Sequence, residues 1–111
     1  MDEIILVLTN LPDRDSAQQM AQALIENHTA ACVNILAECS SVYRWQGKTE
    51  TASEVPLLIK STRAAYPRLE ASIRAHHPYE LPEIIAVSVS TGFPAYLRWV
   101  MQETKIPENG D

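Results

Sequence analysis

The heptapeptide IILVLTN, Ile4–Asn10, constrains the fold more than any other stretch of the chain. It is too short for a helix and rich in branched side chains, so it reads as a strand. Ile4, Leu6 and Leu8 alternate with Ile5 and Val7, which puts apolar groups on both faces. A strand of this kind has to be covered on both sides. Whatever the chain folds into must supply two covers.

The neighbouring segments set the element order. In LPDRDSAQQMAQALIENHTA, Asp15 and Gln18 have capping-box spacing, and Ala17, Met20, Ala21, Leu24 and Ile25 form one apolar stripe at helical spacing. This helix ends near Asn27 or His28. Ala31 to Trp45 is extended, with a break around Ala37-Glu38-Cys39. Gln46-Gly47-Lys48 supplies a glycine turn, and the return strand covers TETASEVPLLIKS. Pro56 cannot donate a ladder hydrogen bond, so a bulge or an unpaired edge is expected there.

A second helix fits AAYPRLEASIRAHH, with Pro67 near its first turn and Leu69, Ile73 and the hydrocarbon part of Tyr66 facing inward. Pro78 stops it, because the residue before a proline is pushed out of helical geometry. Glu83–Ser90 follows as a strand, and Phe93–Glu103 as a short helix with Phe93, Tyr96, Leu97 and Val100 on one stripe. The pattern β-α-β-β-α-β-α is two βαβ units joined by a hairpin. It predicts an α+β, ferredoxin-like sandwich with an extended hairpin and a C-terminal helix. One such domain spans residues 1–105, followed by a flexible tail at 106–111.

Two mismatches point beyond one chain. Hairpin arms of about 13–15 residues would run about 45 Å, whereas a helix of about 13 residues spans only some 20 Å. Half the hairpin therefore projects past its own cover, carrying Val42, Tyr43 and Trp45 near its tip. A free two-stranded ribbon is marginal in water. The second mismatch is the sheet's other face. Two helices cover one side, but IILVL and PLLI are apolar on both, and an exposed apolar face of that size binds something. Another copy of the chain is the simplest cover.

Composition narrows the partners. The 111 residues carry a formal charge of -5, which argues against nucleic acid or an anionic membrane. The chain opens MDEIILVLTN, with acids where a secretory signal carries basic residues, and no run approaches the ~20 apolar residues of a bilayer span. A cytoplasmic location is the expectation. Cys32 and Cys39 have no metal-type CxxC spacing. Seven extended steps would hold them about 23 Å apart, beyond disulfide reach, unless the chain bends near Glu38. Two small buried thiols in a reducing compartment are expected.

Four motifs in order, TAACVNI (29–35), SVYRWQGK (41–48), EVPLLIKST (54–62) and HHPYELPEI (76–84), make the chain resemble the CutA family of divalent-cation tolerance proteins. The resemblance covers about residues 4–104. It implies a ferredoxin-like fold, a homotrimer with interlocking hairpins, a bacterial cytoplasmic location and a link to copper and other divalent cations. It also implies copper ligation by a cysteine at the end of the first strand together with paired histidines. The histidines carry over as His76 and His77. The cysteine does not, since the matching positions are Leu8 and Thr9.

Chemistry frames the candidates. Imidazole suits copper, zinc and nickel, yet adjacent residues on a helix or strand point apart and chelate one ion poorly. Irregular backbone before Pro78 would relax that limit, and Glu80 and Glu83 could add oxygens. The competing role for His76 and His77 is to close the helix against its last carbonyls. Tyr79, Glu80 and Lys60 are candidates for a small-molecule cleft between subunits, the alternative being a rigid loop. Tyr43 and Trp45 are candidates for the oligomer interface, and Trp99 for core or interface. Ser40, Ser41, Cys32 and Cys39 show no matched base, and three glycines leave no phosphate loop, so no enzyme is expected. Three functions compete: a cation-tolerance trimer, a ligand-sensing trimer with no metal role, and an RNA-binding sheet. Net acidity and aliphatic strands count against the last.

Overall fold

In a computed structural model that describes residues 2–107, the order is β1 (Ile4–Leu11), α1 (Arg14–Glu26), β2 (Cys32–Ile35), β3 (Cys39–Trp45), β4 (Lys48–Thr62), α2 (Tyr66–His76), β5 (Ile85–Ser88) and α3 (Pro94–Glu103). The strands form one antiparallel sheet in the order β2-β4-β1-β5, with β3 continuing β2 along the same edge of β4. This is the ferredoxin-like arrangement expected from the sequence. Of the tail, residues 108–111 lie outside the described residues.

Strand β1 runs against β4 from Ile4↔Thr62 to Leu11↔Val55. Pairing aligns Ile5, Val7 and Leu11 with Val55, Leu57 and Ile59 on one face, where Met20 and Leu24 of α1 and Leu69 and Ile73 of α2 close over them. All are at most 2% exposed. Each such side chain contributes roughly 1.5–3 kcal/mol by leaving water.

Helix α1 begins one turn-step earlier than the capping-box reading. Its cap is Asp13, not Asp15, with Oδ1 accepting the Ser16 N–H at 2.8 Å. Asp15 lies in the first turn, where its charge suits the positive end of the helix. Ile25, expected in the stripe, is 41% exposed, because the buried face stops at Leu24. The helix ends with His28 in the left-handed region (φ 62), which lets the Thr29 and Ala30 amides reach back to the Leu24 carbonyl.

Pro56 gives the bulge but not the edge. Ile35 pairs with Leu57 and Cys39 with Glu54, so Leu36–Glu38 on one strand oppose Val55–Pro56 on the other. The Pro56 carbonyl accepts from the Leu36 amide at 3.0 Å. An extended residue points its nitrogen and oxygen to the same side, so the missing donor falls where the opposite strand loops out. The irregularity is carried by β2–β3, and β4 stays central.

The strand expected over Glu83–Ser90 is regular only at Ile85–Ser88, although the Val89 amide still bonds the Ile4 carbonyl at 3.0 Å. Helix α3 packs Val100, Leu97 and Met101 on Ile4 and Ala31, covering one end of the sheet's second face. Phe93, expected on the buried stripe, is 74% exposed, since it precedes the helix as its cap. The rest of that face, Leu6, Leu8, Leu58, Ile85 and Val87, stays partly or fully exposed. Beyond it the β3–β4 ribbon extends a body measuring 46 × 31 × 23 Å.

The candidate site at the hairpin root

Pro78 shapes the site first. It holds His77, the cap of α2, in extended backbone (φ −84, ψ 134) and so ends the helix. The His77 ring then turns to β1, with Nε2 2.7 Å from the Asn10 carbonyl and Nδ1 3.1 Å from the Tyr79 amide. A carbonyl only accepts and an amide only donates. Nε2 therefore carries the proton, and Nδ1 offers its lone pair. A second proton would set N–H against N–H. Burial pushes the His77 pKa down, against the pull of the Asn10 carbonyl and the Glu54 charge.

His76 behaves differently. Its exposed ring places Nδ1 2.8 Å from the Ser72 carbonyl, one turn back in α2. The two rings thus bond to different elements, and both nitrogens of His77 are taken. Together they do not fit a metal chelate. Among the described residues no three His, Cys, Asp or Glu side chains gather closely enough to hold an ion. Where the resemblance puts a cysteine, Leu8 sits on the open sheet face and Thr9 is buried in the core, its hydroxyl unpartnered. The only free lone pair of the pair is on His76 Nε2.

Next to His77 the chain turns through Tyr79, whose hydroxyl donates to Glu54 Oε2 at 3.0 Å. The His77 and Tyr79 rings tilt together with centroids 4.7 Å apart. Burial, then the Glu54 hydrogen bond and charge, push the Tyr79 phenol up to about 12. Asn10 Nδ2 donates to Glu83 Oε1 at 3.1 Å and ties the end of the loop to β1. These contacts frame an open cleft of about 910 Å³ between the Pro78–Glu83 loop and the root of the ribbon.

Tyr79, Glu80, Tyr43 and Trp45, singled out from the sequence, all line this cleft. Lys60 does not. It lies on the open sheet face, its ammonium donating to Asn34 Oδ1 and standing 3.9 Å from Cys32 Sγ. Trp99 packs its ring on Tyr96, centroids 5.5 Å apart, and remains 40% exposed. Among the cleft residues that escaped the sequence reading are Asn10, Arg44 and Glu54. Glu54 had a local signal, a carboxylate at the point where β4 changes from exposed to buried. Its partner lies 25 residues away and had none. Cys32 and Cys39 are free thiols, as expected, but neither is buried: Cys32 is half-buried on the open sheet face and Cys39, on the uncovered ribbon, is exposed.

Comparison with known proteins adds three findings. The family described as "CutA1 divalent ion tolerance protein" matches residues 5–103. The divalent-cation tolerance protein CutA of Thermus thermophilus is 40% identical over 104 residues, 94% of this chain and 99% of its own. Mouse protein CutA is 42% identical over 98 residues, 88% of this chain but 55% of its own length, so the chain spans about half of that longer relative. Among solved structures, the Thermus thermophilus divalent cation tolerance protein superposes with a TM-score of 0.89 at 41% identity, covering 95% of this chain and all of that one. CutA1 from Oryza sativa gives 0.91 at 34% identity, covering 94% and 95%.

Proposed function

The chain belongs to the CutA1 divalent ion tolerance family, and from that premise we propose that it acts as a homotrimeric, non-catalytic cation-tolerance protein that meets copper or another divalent ion weakly through His76. The observation that carries this reading is the split fate of the two histidines. His77 spends both nitrogens inside the protein, while His76 keeps one outward in solvent. A single imidazole is a weak monodentate ligand, suited to transient contact. Self-association draws its support from the uncovered apolar sheet face and the projecting ribbon. The number three comes from the family resemblance.

Titration with Zn(II) or Cu(II) tests the metal role. Saturable binding is expected to disappear in His76→Ala and to survive in His77→Ala. A titration unmoved by His76→Ala would remove the paired histidines from metal binding.

A second reading rests on the cleft. Tyr43, Trp45, Tyr79 and Glu80 converge on one concave surface, which fits a small molecule at the rim of an assembly. Thermal stabilisation by members of a metabolite panel is the expected sign. No shift with any compound would count against it.

A further inference from the structure

The cleft at the hairpin root carries a chemistry that the metal reading does not use. Three carboxylates, Glu54, Glu80 and Glu83, line it against one guanidinium, Arg44. Glu54 is 8% exposed and, among the described residues, accepts only the Tyr79 hydroxyl. No Lys, Arg or His nitrogen lies within 4.0 Å of it among the described residues. A carboxylate this far from water is costly without a counter-charge. Register pairs Cys39 with Glu54, so Ser41, Tyr43 and Trp45 stand on the same side of the ribbon as Glu54.

We propose that this cleft binds an organic ammonium ion, its cationic head set beside the Glu54 carboxylate and against the rings of Tyr43 and Tyr79. Aromatic faces attract a cation through their quadrupole, most strongly where water is excluded. A bare metal ion fits worse. Glu83 is occupied by Asn10, Glu54 by Tyr79, and no three ligating groups converge. The opening of about 910 Å³ is also the size of an organic molecule's site. Anions are disfavoured by the excess of carboxylates. The inference rests on the cleft reading above and gives that cleft its ligand class.

Calorimetry on the assembled protein tests it, with choline as the probe and its neutral isostere, in which carbon replaces the quaternary nitrogen, as the control. Choline is expected to bind saturably and the isostere at least about tenfold more weakly. Glu54→Gln, which preserves shape, should weaken choline by at least about tenfold. Tyr43→Leu should weaken it by about threefold. Light scattering confirms that each variant keeps the wild-type mass. Equal affinity for the two probes, or choline binding unmoved by Glu54→Gln, would overturn the cation class and leave the cleft reading standing. Failure of both probes to bind would overturn the cation class, and the metabolite panel then decides the cleft reading by itself.

Discussion

The two halves of β4 differ more than any other two regions of the molecule. From Val55 to Thr62 the strand runs along β1, with β2 on its other side from Leu57 to Lys60, and its alternate residues Val55, Leu57, Ile59 and Ser61 are at most 2% exposed. From Lys48 to Ser53 it has β3 alone for company, and almost every position faces water. Both halves are equally regular in backbone. The root is held by an intrachain core, whereas the tip carries Val42 at 68%, Tyr43 at 44% and Trp45 at 36% exposure. Regular hydrogen bonding with uncovered aromatics is the signature of a surface built for a partner.

Substitutions at the two ends bracket that difference. Leu57→Ala at the root should cost about 2–5 kcal/mol, read by urea unfolding, since it leaves a cavity under α1 and α2. A loss below about 1 kcal/mol would mean that the root is no better packed than the tip. Trp45→Glu, at the tip, should barely alter the secondary structure of a chain. It should nonetheless weaken the assembly by at least about tenfold in dissociation midpoint, because it would put a charge into the proposed contact with another copy. An assembly of unchanged mass at low micromolar protein would return the tip to solvent.

The junction between the halves has a pH signature. His77 locks the loop to β1 in its neutral form, and burial lowers its pKa below the ordinary 6.5. As pH falls below that value the unfolded chain takes up the proton first. Stability is therefore present above 6.5 and lost as pH drops toward the folded-state value. The urea midpoint should fall between about pH 7.5 and about pH 5.5, and His77→Asn should flatten that part of the profile. The smallest effect belongs to the turn. Gln46 and Gly47 have φ of 50 and 81, a two-residue type I′ geometry in which Asn is favoured over Gln. Gln46→Asn should add a few tenths of a kcal/mol. A loss instead would show that Gln46 makes a contact its backbone does not explain.

The contrast within β4 was largely legible in the sequence. The length of the hairpin against that of the first helix already separated a covered half from an uncovered one. Pro56 announced an irregularity, although not that β2–β3 would absorb it, since the register of two other strands decides that. The cap of α1 was misplaced because Asp13 and Asp15 both precede a helical stripe. Only the Ser16 amide, bonded to Asp13, separates them. The cleft was half legible. Tyr79 and Glu80 stood out in a Pro-x-x-x-Pro frame, and Tyr43 and Trp45 on the hairpin. Glu54 meets Tyr79, and Asn10 meets His77, only through the tertiary fold. Lys60 was grouped with them from sequence, yet its register opposite Cys32 carries it to the open sheet face.

Sedimentation equilibrium at low micromolar concentration tests the central claim most directly. A species of three times the 12.4 kDa chain mass, persisting on dilution, is expected. A soluble, cooperatively folding species of one chain mass would contradict it, because such a monomer would hold its ribbon and open sheet face in water without any cover.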